Sequence, residues 1–433
     1  MSSLRILARF AAVRWLRPLR TRRAVERRQA RLLRRHLRFL RRRSPYFADL
    51  LADRPFSRLP TMDKGLMMAR FDDINTVAAS RDEALDLAIA NERSRDFDAD
   101  LGEHSVGLSS GTSGHRGLFV VSPRERDAWV GTVLARTLPR GRLWGHRIAL
   151  FLRADNSLYE SVGSHAVSFS YFDVYADMDE NIRRLADYAP TILVAPPSVL
   201  RVLARAADAG LLTAMPQKVY AVAEVLEIAD ARLIAASLRQ PVLHQLYQCT
   251  EGFLAHTCPL GVLHLNEDAV LFEREALDAQ RFTPIITDLE RRAQPIVRYR
   301  LGDVLRSRVE PCPCGSALAA IERIEGREGD TLLLPGRDGG AVPVFADLVT
   351  RSLLYAEGFE EYRVVQTAAR RWEIALDVVD DRSRRRVSEE IAILADRLEC
   401  VMPQLEFRTF VHDGSVKLRR VMRTWEGDAD ETL

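Results

Sequence analysis

From Pro55 onward the apolar residues fall into short, β-branched runs at Arg147–Leu152, Thr191–Val194, Val219–Val222, Val242–Leu246 and Ile285–Thr287, each of which predicts a strand. Between them the apolar spacing becomes helical at Met178–Tyr188, Pro197–Ala209 and Ile228–Leu238. Strands alternating with helices predict an α/β class fold with a mostly parallel sheet covered by helices. A denser series follows at Gly261–Leu265, Ala269–Phe272 and Val304–Arg308, with turn residues between, and predicts an additional small β-sheet or barrel. The pattern breaks at Gly326–Gly340, where five Gly and one Pro stand together. Beyond that break comes strand, strand, helix, strand: Tyr362–Gln366, Trp372–Val378, Arg385–Glu399 and Leu405–Val411. This predicts a small α+β C-terminal domain on a hinge. The expected domains are a basic helical arm over 1–50, a large domain over 51–326 and a small mobile one over 327–433.

Charge sharpens this division. The first 43 residues hold 16 Arg against the single acid Glu26, a net of +15. The other 390 residues carry 47 basic and 59 acidic side chains, so a total of +3 hides a basic arm on an acidic body. Loose helical spacing of Ile6, Phe10, Val13 and Leu16, and later of Leu32, Leu33, His36, Leu37, Phe39 and Leu40, predicts an amphipathic arm. That arm either packs on the acidic body or meets an anionic surface. No stretch approaches 18 consecutive apolar residues, which excludes a transmembrane helix. Arg interrupts every candidate signal core, so a cytoplasmic location is expected. Five cysteines in 433 residues cannot make a disulfide scaffold. Only three residues are Lys (Lys64, Lys218 and Lys417), which makes each worth placing.

The sharpest local signal is Val106–Gly117, with four Gly among three Ser and one Thr. Gly lets backbone N–H groups turn toward an anion, and hydroxyls add donors. Arg116 would add positive charge. The loop is not a P-loop, because the Gly-Lys-Ser/Thr ending is missing. Ser109-Ser110-Gly111-Thr112-Ser113-Gly114 resembles the phosphate loop of the adenylate-forming enzymes: acyl- and aryl-CoA ligases, luciferases and peptide-synthetase adenylation domains. Three further matches follow in that superfamily's order: Tyr247-Gln-Cys-Thr-Glu251, Arg298-Tyr-Arg-Leu-Gly-Asp303, and Gly326-Arg327 followed by Asp330. Tyr46-Phe47, Leu59-Pro60-Thr61 and Gly261–Asp268 resemble the branch of phenylacetate-CoA ligase and the deazaflavin-cofactor adenylyl synthetase.

The resemblance implies that a carboxylate and ATP give an acyl-adenylate and pyrophosphate, and that CoA then takes the acyl group as a thioester. Two anions must meet, so the site needs positive charge and aligned donors. The Ser109–Gly114 loop would cradle phosphates, Glu251 would hold Mg²⁺ and Thr250 would lie near the phosphate. Tyr247 would stack on adenine, and Ala223-Glu224 would line the adenine site. Asp303 would accept the ribose hydroxyls, with Arg327 assisting. Lys417, in Asp413–Arg420, would bridge the carboxylate and the α-phosphate as the adenylation lysine. Lys64 reads as a helix-start feature, and Lys218 has no assigned role. Ser168–Tyr175 and Ala221–Glu224 are candidate walls of an apolar acid pocket.

Cys258, His264, Cys312 and Cys314 can form a tetrahedral structural Zn²⁺ site, and the phenylacetate-CoA ligase branch carries a similar set; the alternative is reduced thiols in a loop. Departures from the superfamily's pattern are His115-Arg116 for Pro-Lys, Gln248 for Gly, Leu301 for Thr and Gly329 at the charged pivot. They bear most on the second half-reaction. Two other readings stay open: transfer of AMP or the acyl group to a carrier protein or cofactor, and a non-catalytic nucleotide-binding scaffold of the same fold.

Overall fold

The computed structural model describes residues 2–16, 19–94, 99–108, 117–141, 143–152, 167–174, 176–411 and 418–425. The chain divides into two compact units: Met1–Leu301 with Ser307–Arg323, and Gly302–Arg306 with Ile324–Leu433.

The first unit opens with helices α1 (Ser2–Ala11) and α2 (Arg22–Arg43), followed further on by α3 (Pro123–Thr137). Its sheet then builds from β1 (His146–Leu152) and β2 (Val167–Asp173), helix α4 (Met178–Tyr188), β3 (Ile192–Ala195), helix α5 (Pro197–Asp208), β4 (Lys218–Ala221), helix α6 (Ile228–Ser237) and β5 (His244–Cys249). Strand order is β2-β1-β3-β4-β5, all parallel, with Ile148 opposite Ile192, Ile192 opposite Lys218 and Tyr220 opposite His244. Such strands are covered on both faces, and all four residues of β3 are buried. One face packs Phe151, Phe172, Leu193 and Val219 under Leu185, Leu200, Leu203 and Ile234 of the helices.

Antiparallel strands β6 (Gly252–Thr257) and β7 (Leu263–Leu265) continue the same sheet from β5. The predicted small sheet is therefore joined to the large one rather than closed into a barrel. Strands β8 (Val270–Ala276) and β9 (Arg281–Asp288) form a further antiparallel pair. β10 (Asp303–Ser307) and β11 (Ala320–Arg327) are neighbours, and Ala320 of β11 pairs with His264 of β7.

The basic arm is part of the first unit's core. Ile6 and Phe10 of α1 pack with Val130, Leu134 and Ala135 of α3 and with Ile148 of β1. Arginines tie the arm to body acids: Arg5 to Asp127 at 2.7 Å, Arg9 to Glu290 at 2.6 Å and Arg22 to Glu267 at 2.5 Å. Arg14 donates to the carbonyls of Ala135, Leu138 and Pro139 at 2.8, 2.8 and 2.6 Å. It thus satisfies acceptors at the C-terminus of α3, where a cation is also favoured by the helix dipole. Among its ties to the acidic body, the arm contributes guanidinium forks that a point-charge lysine would not reproduce.

The second unit holds the hairpin β12 (Leu332–Pro335) and β13 (Ala341–Val344), helix α7 (Ala346–Ala356), strands β14 (Tyr362–Ala368) and β15 (Arg371–Leu376), helix α8 (Asp381–Arg397), β16 (Gln404–Thr409) and β17 (Val421–Arg423). Its four-stranded sheet has the order β16-β15-β14-β17. Trp372, Ile374, Val364, Val387 and Ile391 fill its core, joined by Leu332, Leu334 and Val344 of the hairpin. The glycine-rich break is thus partly ordered structure.

Candidate active site

Strand β5 carries the Tyr247–Glu251 segment to the edge of a cavity of about 330 Å³ in the first unit. The register between β5 and β6 shifts between Tyr247 and Gln248. Such an irregularity re-aims the following side chains. Thr250 donates its hydroxyl to Glu251 Oε2 at 2.9 Å, and the charge of the same carboxylate acts on the phenol of Tyr299. Burial, reinforced by the negative charge of Glu251, pushes the Tyr299 phenol far above its ordinary range, so it stays a protonated donor. Arg291 donates to the Thr250 carbonyl at 2.5 Å.

Tyr299 is held by the chain around it. The backbone of Met62 accepts from Arg300 N–H at 2.8 Å and donates to the Arg298 carbonyl at 2.9 Å. Arg298 also reaches Glu273 at 2.8 Å, and Arg300 reaches Glu275 at 2.6 Å. The two arginines of Arg298-Tyr299-Arg300 therefore hold the strand, and the tyrosine faces Glu251. Lys64 starts the helix Lys64–Ala69, as expected, but it also lines a cavity of about 20 Å³ with Glu251, Arg291 and Tyr299.

The other expected residues separate. Glu224 accepts from the Ser198 N–H at 3.1 Å, at the start of α5, where a carboxylate is favoured. Ala223 adopts φ +66° at the turn that precedes it. Tyr247 is 7% exposed, so most of its ring is covered. Asp303 and Arg327 belong to the second unit, where they lie 3.5 Å apart. Asp330 accepts from the Arg327 N–H at 2.7 Å and from Arg419 Nε at 2.8 Å. Ser109, Ser110, Gly111, Thr112, Ser113, Gly114, Arg116 and Lys417 lie outside the described residues. The strand leaving that loop, Leu118–Val121, is clamped by Gln294, which accepts from Val120 N–H and donates to the Leu118 carbonyl, both at 3.0 Å.

Two further cavities, larger than the one beside Lys64, adjoin this segment. The larger, about 330 Å³, is lined by Arg9, Trp129, Arg136, Thr250, Asp288 and Arg291 among others. Asp288 ends β9; burial pushes its carboxyl up to about 6 against the hydrogen bonds it accepts from Glu290 and Arg291 N–H. The second, about 160 Å³, is walled by apolar side chains between α3 and strands β1 to β3, including Val133, Ile148, Phe169 and Val194, and it reaches Ala223 and Gln248. Asp288, Arg291 and Arg9 escaped the motif reading. The one sequence signal for Asp288 is an apolar strand that ends on a carboxylate just before the Arg298–Asp303 motif.

The four Cys/His residues converge. Cys258 follows β6, His264 lies on β7, and Cys312 and Cys314 sit between β10 and β11. Their ligand atoms all lie within 4.8 Å of one another. Cys258 Sγ is 3.8 Å from Cys312 Sγ, and Cys314 Sγ is 3.4 Å from His264 Nε2. Zn–S bonds of about 2.3 Å at tetrahedral angles set sulfurs roughly 3.8 Å apart. His264 Nδ1 lies 2.9 Å from the Leu318 carbonyl, an arrangement that leaves Nε2 as the free lone pair. The donor set thus fits a tetrahedral zinc ion.

No protein-family model matches this chain, and no curated protein matches it. Solved structures do. One is 2-hydroxyisobutyryl-CoA ligase in the postadenylation state with 2-HIB-AMP, with a TM-score of 0.70 at 14% identity over 93% of this chain and 90% of that one. A second is the GH3.15 acyl acid amido synthetase, with a TM-score of 0.58 at 13% identity over 90% and 87%. A third is ATP-bound MatB from Rhodopseudomonas palustris, with a TM-score of 0.51 at 13% identity over 75% and 67%. At these identities the likeness defines the fold: this chain has the α/β architecture of the adenylate-forming ligases.

Proposed function

We propose that this protein activates a carboxylic acid with ATP as an acyl-adenylate and then passes the acyl group to CoA. The observation that carries the reading is the Thr250–Glu251–Tyr299 cluster at the end of β5, in a fold shared with ligases whose solved complexes hold acyl-adenylates. An oxygen of the acid attacks the α-phosphorus, the bond to the bridging oxygen breaks, and pyrophosphate leaves with that electron pair. The CoA thiolate then attacks the acyl carbon and expels AMP.

Each residue has a part in this scheme. Glu251, oriented by the Thr250 hydroxyl and with the Tyr299 phenol nearby, would hold Mg²⁺, which supplies charge screening for the triphosphate. Ser109–Gly114 and Arg116 would wrap the phosphates, and Lys417 would stabilise charge developing between acid and α-phosphate. Asp303, with Arg327 beside it, would take the ribose hydroxyls. Tyr247 and Ala223-Glu224 would border the adenine. The cavity that reaches Ala223 and Gln248 is apolar, which suits an uncharged aryl or alkyl tail on the acid. Zn²⁺ on Cys258, His264, Cys312 and Cys314 would be structural, because four protein ligands leave no open position. In this reading the chain is similar to the phenylacetate-CoA ligase branch, on the strength of its motifs.

The test is exchange of labelled pyrophosphate into ATP, driven by a panel of aryl and alkyl acids without any acceptor. Exchange that depends on one acid supports adenylation, and its discharge by CoA names the acceptor. Exchange discharged by a carrier protein instead would overturn the CoA step alone. Tight ATP binding with no exchange on any acid would overturn the whole reading.

A further inference from the structure

The arm has a second, outward side that the fold does not use. In α1, Ile6 and Phe10 face the body, while Leu4 and Leu7 are 76% and 63% exposed. Just beyond the helix, Trp15 and Leu16 are 57% and 73% exposed. At 100° per residue Leu4, Leu7, Ala8 and Ala11 share one face of α1, away from Ile6 and Phe10, while Trp15, in the π-helical turn Ala12–Leu16, stands edge-on to the Phe10 ring at 5.4 Å with the rest of its surface open. Large apolar side chains grouped in this way on a surface mark a contact with something apolar.

Helix α2 repeats the division with charge. Val25, Arg28, Gln29, His36 and Leu40 are buried. On the other side Arg23, Arg27, Arg31, Arg34, Arg38 and Arg41 are exposed and recur at helical spacing. They form a stripe of about 27 Å at 1.5 Å per residue. Among the described residues, none of Arg23, Arg27, Arg31, Arg34 and Arg38 ion-pairs with a carboxylate. The inner faces of α1 and α2 seat on the same acid, since Arg9 and Arg28 both reach Glu290, at 2.6 and 3.4 Å. Around that anchor both outer faces are left to solvent.

From these two faces we infer that the arm docks the protein peripherally on an anionic lipid surface. Leu4, Leu7, Trp15 and Leu16 enter the headgroup boundary while the arginine stripe lies along the anionic headgroups. Arginines alone would suit a nucleic acid equally. The grouped leucines and tryptophan favour the bilayer, because phosphate-backbone binding has no use for exposed aliphatic side chains. This reading is independent of the proposed chemistry.

The test is flotation of the full-length protein with vesicles of phosphatidylcholine alone and of phosphatidylcholine mixed with phosphatidylglycerol. Two variants accompany it, Leu7→Ser/Trp15→Ser and Arg27→Glu/Arg31→Glu/Arg34→Glu, with thermal melting as the control for folding. The expected result is at least about tenfold stronger partition to the anionic vesicles, weakened by salt and lost in both variants, which melt like the wild type. No partition to anionic vesicles at low salt would overturn the proposal. So would binding unaffected by Leu7→Ser/Trp15→Ser together with tight duplex binding, which would assign the stripe to nucleic acid. A dimer that the same variant converts to monomer, without vesicle binding, would assign the apolar face to a second copy.

Discussion

Gly131 of α3 lies directly beneath Ile6 of α1: a Cβ at position 131 would stand 2.6 Å from the Ile6 carbonyl oxygen and 2.8 Å from Arg9 Cβ. The close approach of the two helices needs a residue without a side chain at that point, so Gly131→Ala separates two explanations of the arm. In an isolated helix the change would stabilise by about 1 kcal/mol. With the arm seated it forces the helices apart and is expected to destabilise by about 1–3 kcal/mol. Urea denaturation of the two proteins reads the sign, and a gain in stability would mean that α1 does not rest there.

Acid lability is expected from the arm as well. His36 is buried on α2 with neither ring nitrogen hydrogen-bonded, and burial, with the nearby Arg292, lowers its pKa to about 4. Its folded value lies below the unfolded one, so its contribution is fully present above pH 6.5 and is lost as the pH falls toward 4. At about 1.4 kcal/mol per unit the loss is roughly 3 kcal/mol. Denaturation midpoints for His36→Leu should match or exceed the wild type at pH 5 and show a flatter slope between pH 6.5 and 4. An unchanged slope would contradict the assignment.

Asp268 acts at lower pH. Burial would raise its carboxyl, but Arg136 at 2.5 Å, helped by Arg9 and Arg28 of the arm, holds it down to about 2. That stabilisation is present above about pH 4 and disappears as the pH falls through 2. Arg136→Met is expected to cost about 3 kcal/mol at neutral pH, because it leaves a buried carboxylate without its partner. The cost should shrink in acid, which denaturant titration at two pH values would reveal.

Much of this fold was legible in the sequence. Runs such as Thr191–Val194 and the spacing of Met178–Tyr188 lie where strand β3 and helix α4 form, because buried parallel strands and amphipathic helices write their periods into the chain. The Cys/His set was legible too, since few other chemistries gather those side chains. What stayed hidden depends on tertiary contact. Nothing local marks Arg9 as a lining residue of the main cavity or Arg298 as a tie to Glu273. Glu224 matched a motif, yet its carboxylate caps α5, a partner 26 residues upstream.

The Cys/His cluster yields a stability prediction. If Zn²⁺ clips β6, β7 and the Cys312–Cys314 turn together, purified protein should contain about one zinc per chain by elemental analysis. Chelation or Cys312→Ser should then lower the melting temperature without altering the Thr250–Glu251 site. Protein free of zinc, with a melting temperature unmoved by chelator, would leave the cluster as reduced thiols.

Arg419 pins Asp330 two residues after Lys417, with a bond of 2.8 Å from Nε. Arg419→Ala should destabilise the second unit by about 3 kcal/mol, since it removes the charged partner of a largely buried carboxylate and leaves it only the Arg327 N–H. It should also lower kcat for adenylation more than it raises KM for the acid, as expected of a positioning residue. Equal kinetics in the variant would separate this contact from catalysis.

Pyrophosphate release with ATP, Mg²⁺ and the acid panel, on wild type, Glu251→Gln and Lys417→Ala, measures adenylation itself. Release should require one acid and fall about a hundredfold or more in both variants, in line with the loss of a group that stabilises developing charge. Release in Glu251→Gln and Lys417→Ala at the wild-type rate would contradict the proposed function.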